Sequence, residues 1–294
     1  MLSRGMKRTI SIIGAGRTGK ALGRALRERG WRIGAVATRS AASARAAVRA
    51  IGAGTAYARI TAHVFEAEII LITTPDEAIA QAAEALARVA RAGQPTLRGK
   101  IALHTSGALG RGVLSPLAKL GAATGSLHPM QTFSGKTVPR LRGITFAVEG
   151  DARARQAGRA IARALGGVPI LIESTDKVAY HAAGALSAGH ALALIEGATQ
   201  TLMRIGFPRR RAVQTLLPLI REMLENFERV GPRAAWTGPV ARGDYSVVAR
   251  HVRALRKYPA EFALAYAALA RLGARVLAEK PGEKLRRLES ALTS

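Results

Sequence analysis

The sequence predicts an α/β protein: a doubly wound parallel sheet over residues 1–173, followed by an all-α region over 174–294. Short apolar runs at 10–13, 68–73 and 100–104 alternate with segments whose apolar residues recur every three to four positions. That alternation is the pattern of strands joined by helices in a parallel sheet. A glycine turn, Gly14-x-Gly16-x-x-Gly19, separates the first strand from the first helix. From residue 175 onward the apolar period is helical to the end.

The first unit organises the rest. The run 10–13 is too short for a helix and β-branched enough for a buried parallel strand. After Gly14-Ala15-Gly16-Arg17-Thr18-Gly19, the residues Ala21, Leu22, Ala25 and Leu26 recur at helical spacing, and Gly30 closes the helix. Strand, glycine turn and helix in this order form a dinucleotide-binding fingerprint. Gly14 allows the tight turn, Gly16 lets a pyrophosphate approach the backbone, and Gly19 lets helix and strand pack closely.

The second strand, 31–37, ends at Thr38-Arg39-Ser40. An NAD site usually places Asp or Glu here to hold the ribose 2′-hydroxyl. No carboxylate occurs between Glu28 and Glu66, and a guanidinium flanked by two hydroxyls suits a 2′-phosphate. The expected cofactor is therefore NADP(H).

The remaining elements follow in order: a helix at 40–51, a short strand at 55–57, a strand at 68–73, and a helix from Asp76 to about 91, with Asp76 as its cap. A strand at 100–104, a short helix near 114–119, strands at 144–148 and 169–172, and a helix at 151–164 complete the sheet region. Helices are expected over 176–205, 210–230, 244–256 and 260–278, with the domain boundary near 173. In a parallel sheet the strand ends line one crevice, so Thr74, Pro75, Ser106 and Gly107 should gather beside the glycine turn.

Composition narrows the function classes. The 294 residues include no cysteine, which excludes disulfides, thiolate metal sites and cysteine nucleophiles. The residues before the first strand form a polar lead without a signal-peptide apolar region. No run approaches 18 apolar residues, so no membrane span is expected and one is excluded on this reading. The expectation is a cytoplasmic protein without a metal site. Lys and Arg number 45 against 19 Asp and Glu, a formal charge of +26. Such charge attracts anionic substrates and gives salt-sensitive polyanion binding. Most arginines lie singly along polar helix faces and aromatics make up only 4%, so no specific nucleic-acid partner is expected.

Chemistry is expected where the helical region begins. Lys177 and His181 are four residues apart and share a helix face. Hydride delivery to a carbonyl carbon leaves charge on oxygen, which a lysine with a lowered pKa can protonate or stabilise. Lys177 is the expected acid or oxyanion stabiliser, with His181 beside it hydrogen-bonding the substrate. His128, ahead of Pro129, is expected in an extended loop beyond the fifth strand with Gln131 and Thr132, where it could bind substrate or fasten the loop. Arg242 sits in the turn-rich stretch 236–244 with Asp244, placed to grip a carboxylate or simply to join two helices. His104, in a strand, reads as a core residue.

Four motifs carry a resemblance over nearly the whole chain. They are Gly14-Ala15-Gly16-Arg17-Thr18-Gly19, Ser126-Leu127-His128-Pro129-Met130-Gln131-Thr132-Phe133, Asp176-Lys177-x-x-Tyr180-His181-Ala182-Ala183 and Thr237-Gly238-Pro239-x-x-Arg242-Gly243-Asp244. The chain resembles bacterial Rossmann-like proteins with a helical C-terminal domain of unknown function, a group provisionally named NADP oxidoreductases. Its relatives are pyrroline-5-carboxylate reductase and ketopantoate reductase. The resemblance to the wider 3-hydroxyacid dehydrogenase superfamily implies a catalytic lysine on the first helix of the second domain, at Lys177. His181 stands where that superfamily has Asn. The resemblance also implies a homodimer packed across the long helix and, for some members, ketopantoate reduction in pantothenate synthesis.

The leading expectation is an NADPH-dependent reductase of a small anionic 2-oxo acid, with His128, Ser106 or Arg242 holding the carboxylate. Cyclic-imine reduction and a non-catalytic NADP(H) sensor stay open beside it.

Overall fold

In the computed structural model, which describes residues 9–93, 96–135 and 139–293, the first strand β1 (Thr9–Ile13) lies inside an eight-stranded sheet. The polar lead ahead of it lies outside the described residues. There follow α1 (Arg17–Glu28), β2 (Arg32–Ala37), α2 (Ala41–Ile51), β3 (Thr55–Tyr57), β4 (Ile69–Ile72), α3 (Asp76–Gly93) and β5 (Ile101–His104). Then come α4 (Ser115–Ala118), β6 (Ala123–Pro129), β7 (Thr145–Gly150), α5 (Ala152–Ala164) and β8 (Val168–Leu171). The strand order is β3-β2-β1-β4-β5-β6-β7-β8.

Alternation along each strand feeds two cores. Ile10, Ile12, Leu71 and Leu103 face Leu22, Leu26 and Ile161 on one side of the sheet. Ile13, Ile70, Ile72 and Ala102 face Ile79, Leu86 and Leu117 on the other. Each such buried Leu or Ile stabilises the fold by roughly 2 kcal/mol. The α1 helix ends as expected: Gly30 adopts φ +77°, and the Gly30 and Trp31 N–H groups return to the carbonyls of Arg27 and Leu26.

The sheet is mainly parallel with one reversed pair, and the loop expected at His128 is instead the end of strand β6. β7 runs antiparallel to β6, while every other neighbouring pair is parallel. Among the described residues no helix lies between β6 and β7, and a strand that returns without a crossover must reverse direction. Asp76 is also corrected, from cap to first helical residue, with its carboxylate turned to Ser106.

The chain divides into two compact units, 1–189 and 190–294. The first ends in α6 (Lys177–Ala185), which a short 3₁₀ turn at Ser174–Asp176 leads into and a π-helical stretch at Leu186–His190 continues. The second holds α7 (Ala191–Arg204), α8 (Arg209–Ala235), α9 (Pro239–Arg242), α10 (Tyr245–Leu255), α11 (Ala260–Leu277) and α12 (Pro281–Thr293). Val248, Val252, Ala274, Leu288 and Leu292 form its core. α12, which the sequence reading missed, supplies two of those side chains.

Helix 174–204 is long and apolar enough to cross a membrane by length and composition, and none of its apolar window is buried. The exclusion of a span by run length is therefore corrected: histidines and small polar residues punctuate the stretch without lowering its mean hydropathy below that of a spanning helix.

Candidate active site

The glycine turn is built by its neighbours. The Gly14 N–H donates to the Ala37 carbonyl at 2.8 Å, which joins the turn to the end of β2 and brings Thr38, Arg39 and Ser40 alongside. Gly14 has φ +76°, and a Cβ there would collide with the Thr74 side chain. Gly19 packs against Thr73, whose hydroxyl donates to the Gly14 carbonyl at 2.9 Å. Thr73 was not singled out beforehand, because a strand-end threonine carries no motif. Ala15 is buried and Thr18 half-buried, while Gly16 and Arg17 are exposed.

These residues fit a dinucleotide. Gly16, exposed, is the N-cap of α1, which has no side-chain cap and no acidic residue in its first turn, so its N-terminal N–H groups are left without a side-chain acceptor. Thr74 Oγ1, beside Gly14, is buried and has no hydrogen-bond partner among the described residues. Pro75 follows it, exposed. At the end of β2, Thr38 donates to the Ser40 carbonyl at 2.9 Å, Ser40 caps α2 through the Ser43 N–H, and Arg39 is exposed. Arg39 is thus the member of this trio left to reach a phosphate.

The β5 end is a polar knot. The Ser106 hydroxyl donates to Asp76 at 2.6 Å and accepts from the N–H groups of Ala108 and Leu109, so it is committed to the turn. His104 accepts the Ser106 N–H on Nδ1, and its Nε2 bonds the Gly110 carbonyl, which requires the neutral ring. Burial pushes its pKa down to about 4, with the Lys177 charge adding to the shift.

Lys177 has no exposed surface. Its amine donates to the Ser106 carbonyl at 3.0 Å and to Ser126 Oγ at 2.8 Å. It is therefore turned into the first unit, under the β5 end. Burial lowers its pKa to about 8, with Glu149 and Asp76 opposing the shift. His181, one turn on, lies with its ring against Gly107, as does His128. The two imidazoles meet edge to face with centroids 5.6 Å apart. His128 Nδ1 is hydrogen-bonded to the Tyr180 hydroxyl at 3.3 Å. Burial, then the nearby His181 and Lys177, hold the His128 pKa near 4, and burial lifts Tyr180 to about 12.

A hollow of about 450 Å³ opens here, walled by His128, Met130, Gln131, Thr132, His181 and the small residues of α6 and its π-helical continuation. Gly184 belongs to that wall because Met130 packs where its Cβ would be. The Gln131 side chain bonds the Arg140 carbonyl at 3.0 Å. Lys177, His181, His128, Ser106 and Gly107 are thus brought together.

Arg242 and Asp244 lie in the other unit, paired with each other at 2.9 Å, so the Asp244 carboxylate does not cap α10. Their turn is anchored by Lys284, which donates to the Ala241 carbonyl at 2.9 Å.

Residues 3–129 match the family described as a Rossmann-like domain, and residues 144–272 match a domain of unknown function, DUF2520. The two parts of the chain are thus similar to a Rossmann-like domain and to DUF2520. This pairing agrees with the resemblance read from the four motifs. The DUF2520 match takes in β7, α5 and β8 as well as the helices. No curated protein matches the chain.

Among solved structures, BF3122 of Bacteroides fragilis, provisionally named an NADP oxidoreductase, is 26% identical over 90% of this chain and 96% of its own, with a TM-score of 0.70. Protein TM1727 of Thermotoga maritima is 24% identical over 96% and 98%, with a TM-score of 0.67. A reductive aminase from Aspergillus terreus, solved with NADPH and ethyl-5-oxohexanoate, is 19% identical over 92% and 94%, also at 0.67. The last two likenesses are ones of fold.

Proposed function

We propose that this protein is a cytoplasmic NADP(H)-dependent oxidoreductase that reduces a small 2-oxo acid, of the ketopantoate type, to the 2-hydroxy acid. Reduction in pantothenate synthesis would be its setting. The observation that carries the reading is the buried ammonium of Lys177 under the strand end that also meets His128 and His181. The open glycine turn and Arg39 support the choice of cofactor, and the names of BF3122 and the Aspergillus aminase point the same way.

Gly14 to Gly19 would hold the pyrophosphate, Thr74 and Pro75 its flank, and Arg39 the 2′-phosphate. Bound NADPH supplies a hydride. Lys177 spends two of its three N–H groups on Ser106 and Ser126, leaving one to give to a developing alkoxide. His128 and His181 orient the substrate from the hollow's wall.

A second reading, reduction of an uncharged imine, draws on the neutral His128 and on a wall that, among the described residues, includes no Lys or Arg. An NADPH-oxidation screen over 2-oxo acids and cyclic imines, beginning with ketopantoate, separates the two. Turnover confined to imines would overturn the first reading, and no turnover with either class would leave a cofactor-binding sensor.

The reading includes a homodimer. Leu219, Met223, Phe227 and Val230 recur along one side of α8 and are exposed, as are Leu264, Leu272 and Val276 of α11. A second copy would cover these apolar stripes and the long helix. Sedimentation equilibrium tests this, and a monomer at micromolar concentration would contradict it.

A further inference from the structure

We infer that Glu149 is a positioning residue for Lys177, acting through the Ser126 hydroxyl. The antiparallel turn of the sheet creates the arrangement. β7 reverses against β6 in a register that sets Glu149 directly opposite Ser126, and paired residues on one face are nearest neighbours. The Ser126 Oγ that accepts from Lys177 at 2.8 Å donates to Glu149 Oε2 at 3.3 Å. The Arg111 N–H donates to the same oxygen at 2.9 Å, and the Ser174 hydroxyl donates to Oε1 at 2.8 Å.

Glu149 is 2% exposed. An isolated carboxylate is costly to bury, and this one is met by three neutral donors with a cation one hydroxyl away. Ser174 lies three residues before Lys177 in the turn that leads into α6. The carboxylate therefore pins the start of that helix and, through Ser126, the amine at its first position.

It also acts by charge. The groups around the amine are Glu149 from β7, Asp76 from α3, His104 from β5 and His128 from β6. Glu149 leads the contributions that favour the ammonium, against the burial that disfavours it.

The consequence for turnover rests on the reductase reading, but the titration does not. In protein labelled with ¹³C at lysine Cε, with Lys177→Arg identifying the resonance, the wild-type amine titrates near 8. Glu149→Gln keeps an oxygen acceptor while removing the charge, so the midpoint falls by about one unit. Ser126→Ala removes an acceptor of the charged form and lowers the midpoint as well. It deletes a single oxygen and decides the matter should Glu149→Gln fail to fold. An unchanged midpoint in either folded variant would show a merely structural carboxylate and overturn the inference. In the enzyme assay the high-pH limb of kcat moves with the midpoint while the NADPH KM stays put. Should Lys177→Ala leave turnover intact while the midpoint still shifts, the catalytic reading falls and the positioning role stands.

Discussion

Lys177 and His181, one helical turn apart, meet adjacent residues just past β5: the lysine amine donates to the Ser106 carbonyl at 3.0 Å, and the histidine ring rests against Gly107. That stretch holds a buried cation on one residue and an imidazole on the next.

Replacing Lys177 by Ala should lower kcat by about 10² to 10⁴ while leaving the NADPH Kd unchanged. In the wild type the acid form is lost as pH rises through the folded pKa of about 8, so reduction should fall above pH 8. Stopped-flow rates between pH 6 and 10 check this, and a flat profile would remove Lys177 from proton transfer.

Arg39→Ala should weaken NADPH about tenfold or more and leave NADH nearly unaffected, because a charged hydrogen bond to the 2′-phosphate is what it deletes. Fluorescence titration with both dinucleotides gives the ratio; equal losses would place the phosphate elsewhere.

Gly14→Ala forces a Cβ into a left-handed conformation and against Thr74. The expected cost is about 1–3 kcal/mol, seen as a lowered Tm together with weakened NADPH binding. An alanine variant with wild-type Tm and Kd would mean that the turn is differently built.

His104 sets an acid limit. Its folded pKa of about 4 lies below the ordinary 6.5, so between those values the unfolded chain binds the proton that the folded one refuses. Stability is full above pH 6.5 and falls by about 1.4 kcal/mol per unit as pH drops from there toward 4. Urea midpoints at pH 7 and pH 5 measure it, and His104→Gln should reduce the slope, leaving the share due to His128, which burial also holds near 4. An unaltered slope in that variant would assign the loss to other groups.

The glycine turn, the strands beside it and the candidate residues of α6 were readable because local signals carry them. A φ of +76° is easy only for glycine, a buried strand must be a short apolar run, and two residues four apart on a helix must share a face. The reversal of β7 was not readable, since the loop that permits it has no periodicity. Glu149 lies one residue past the strand read at 144–148 and belongs to no motif. Its burial, and the partner it gains in Ser126, follow from a register between strands more than twenty residues apart. The pKa values of Lys177 and His104 belong to the same class of fact. They depend on solvent exclusion and on charges drawn from four separate elements, and only the assembled sheet brings these within reach of one another.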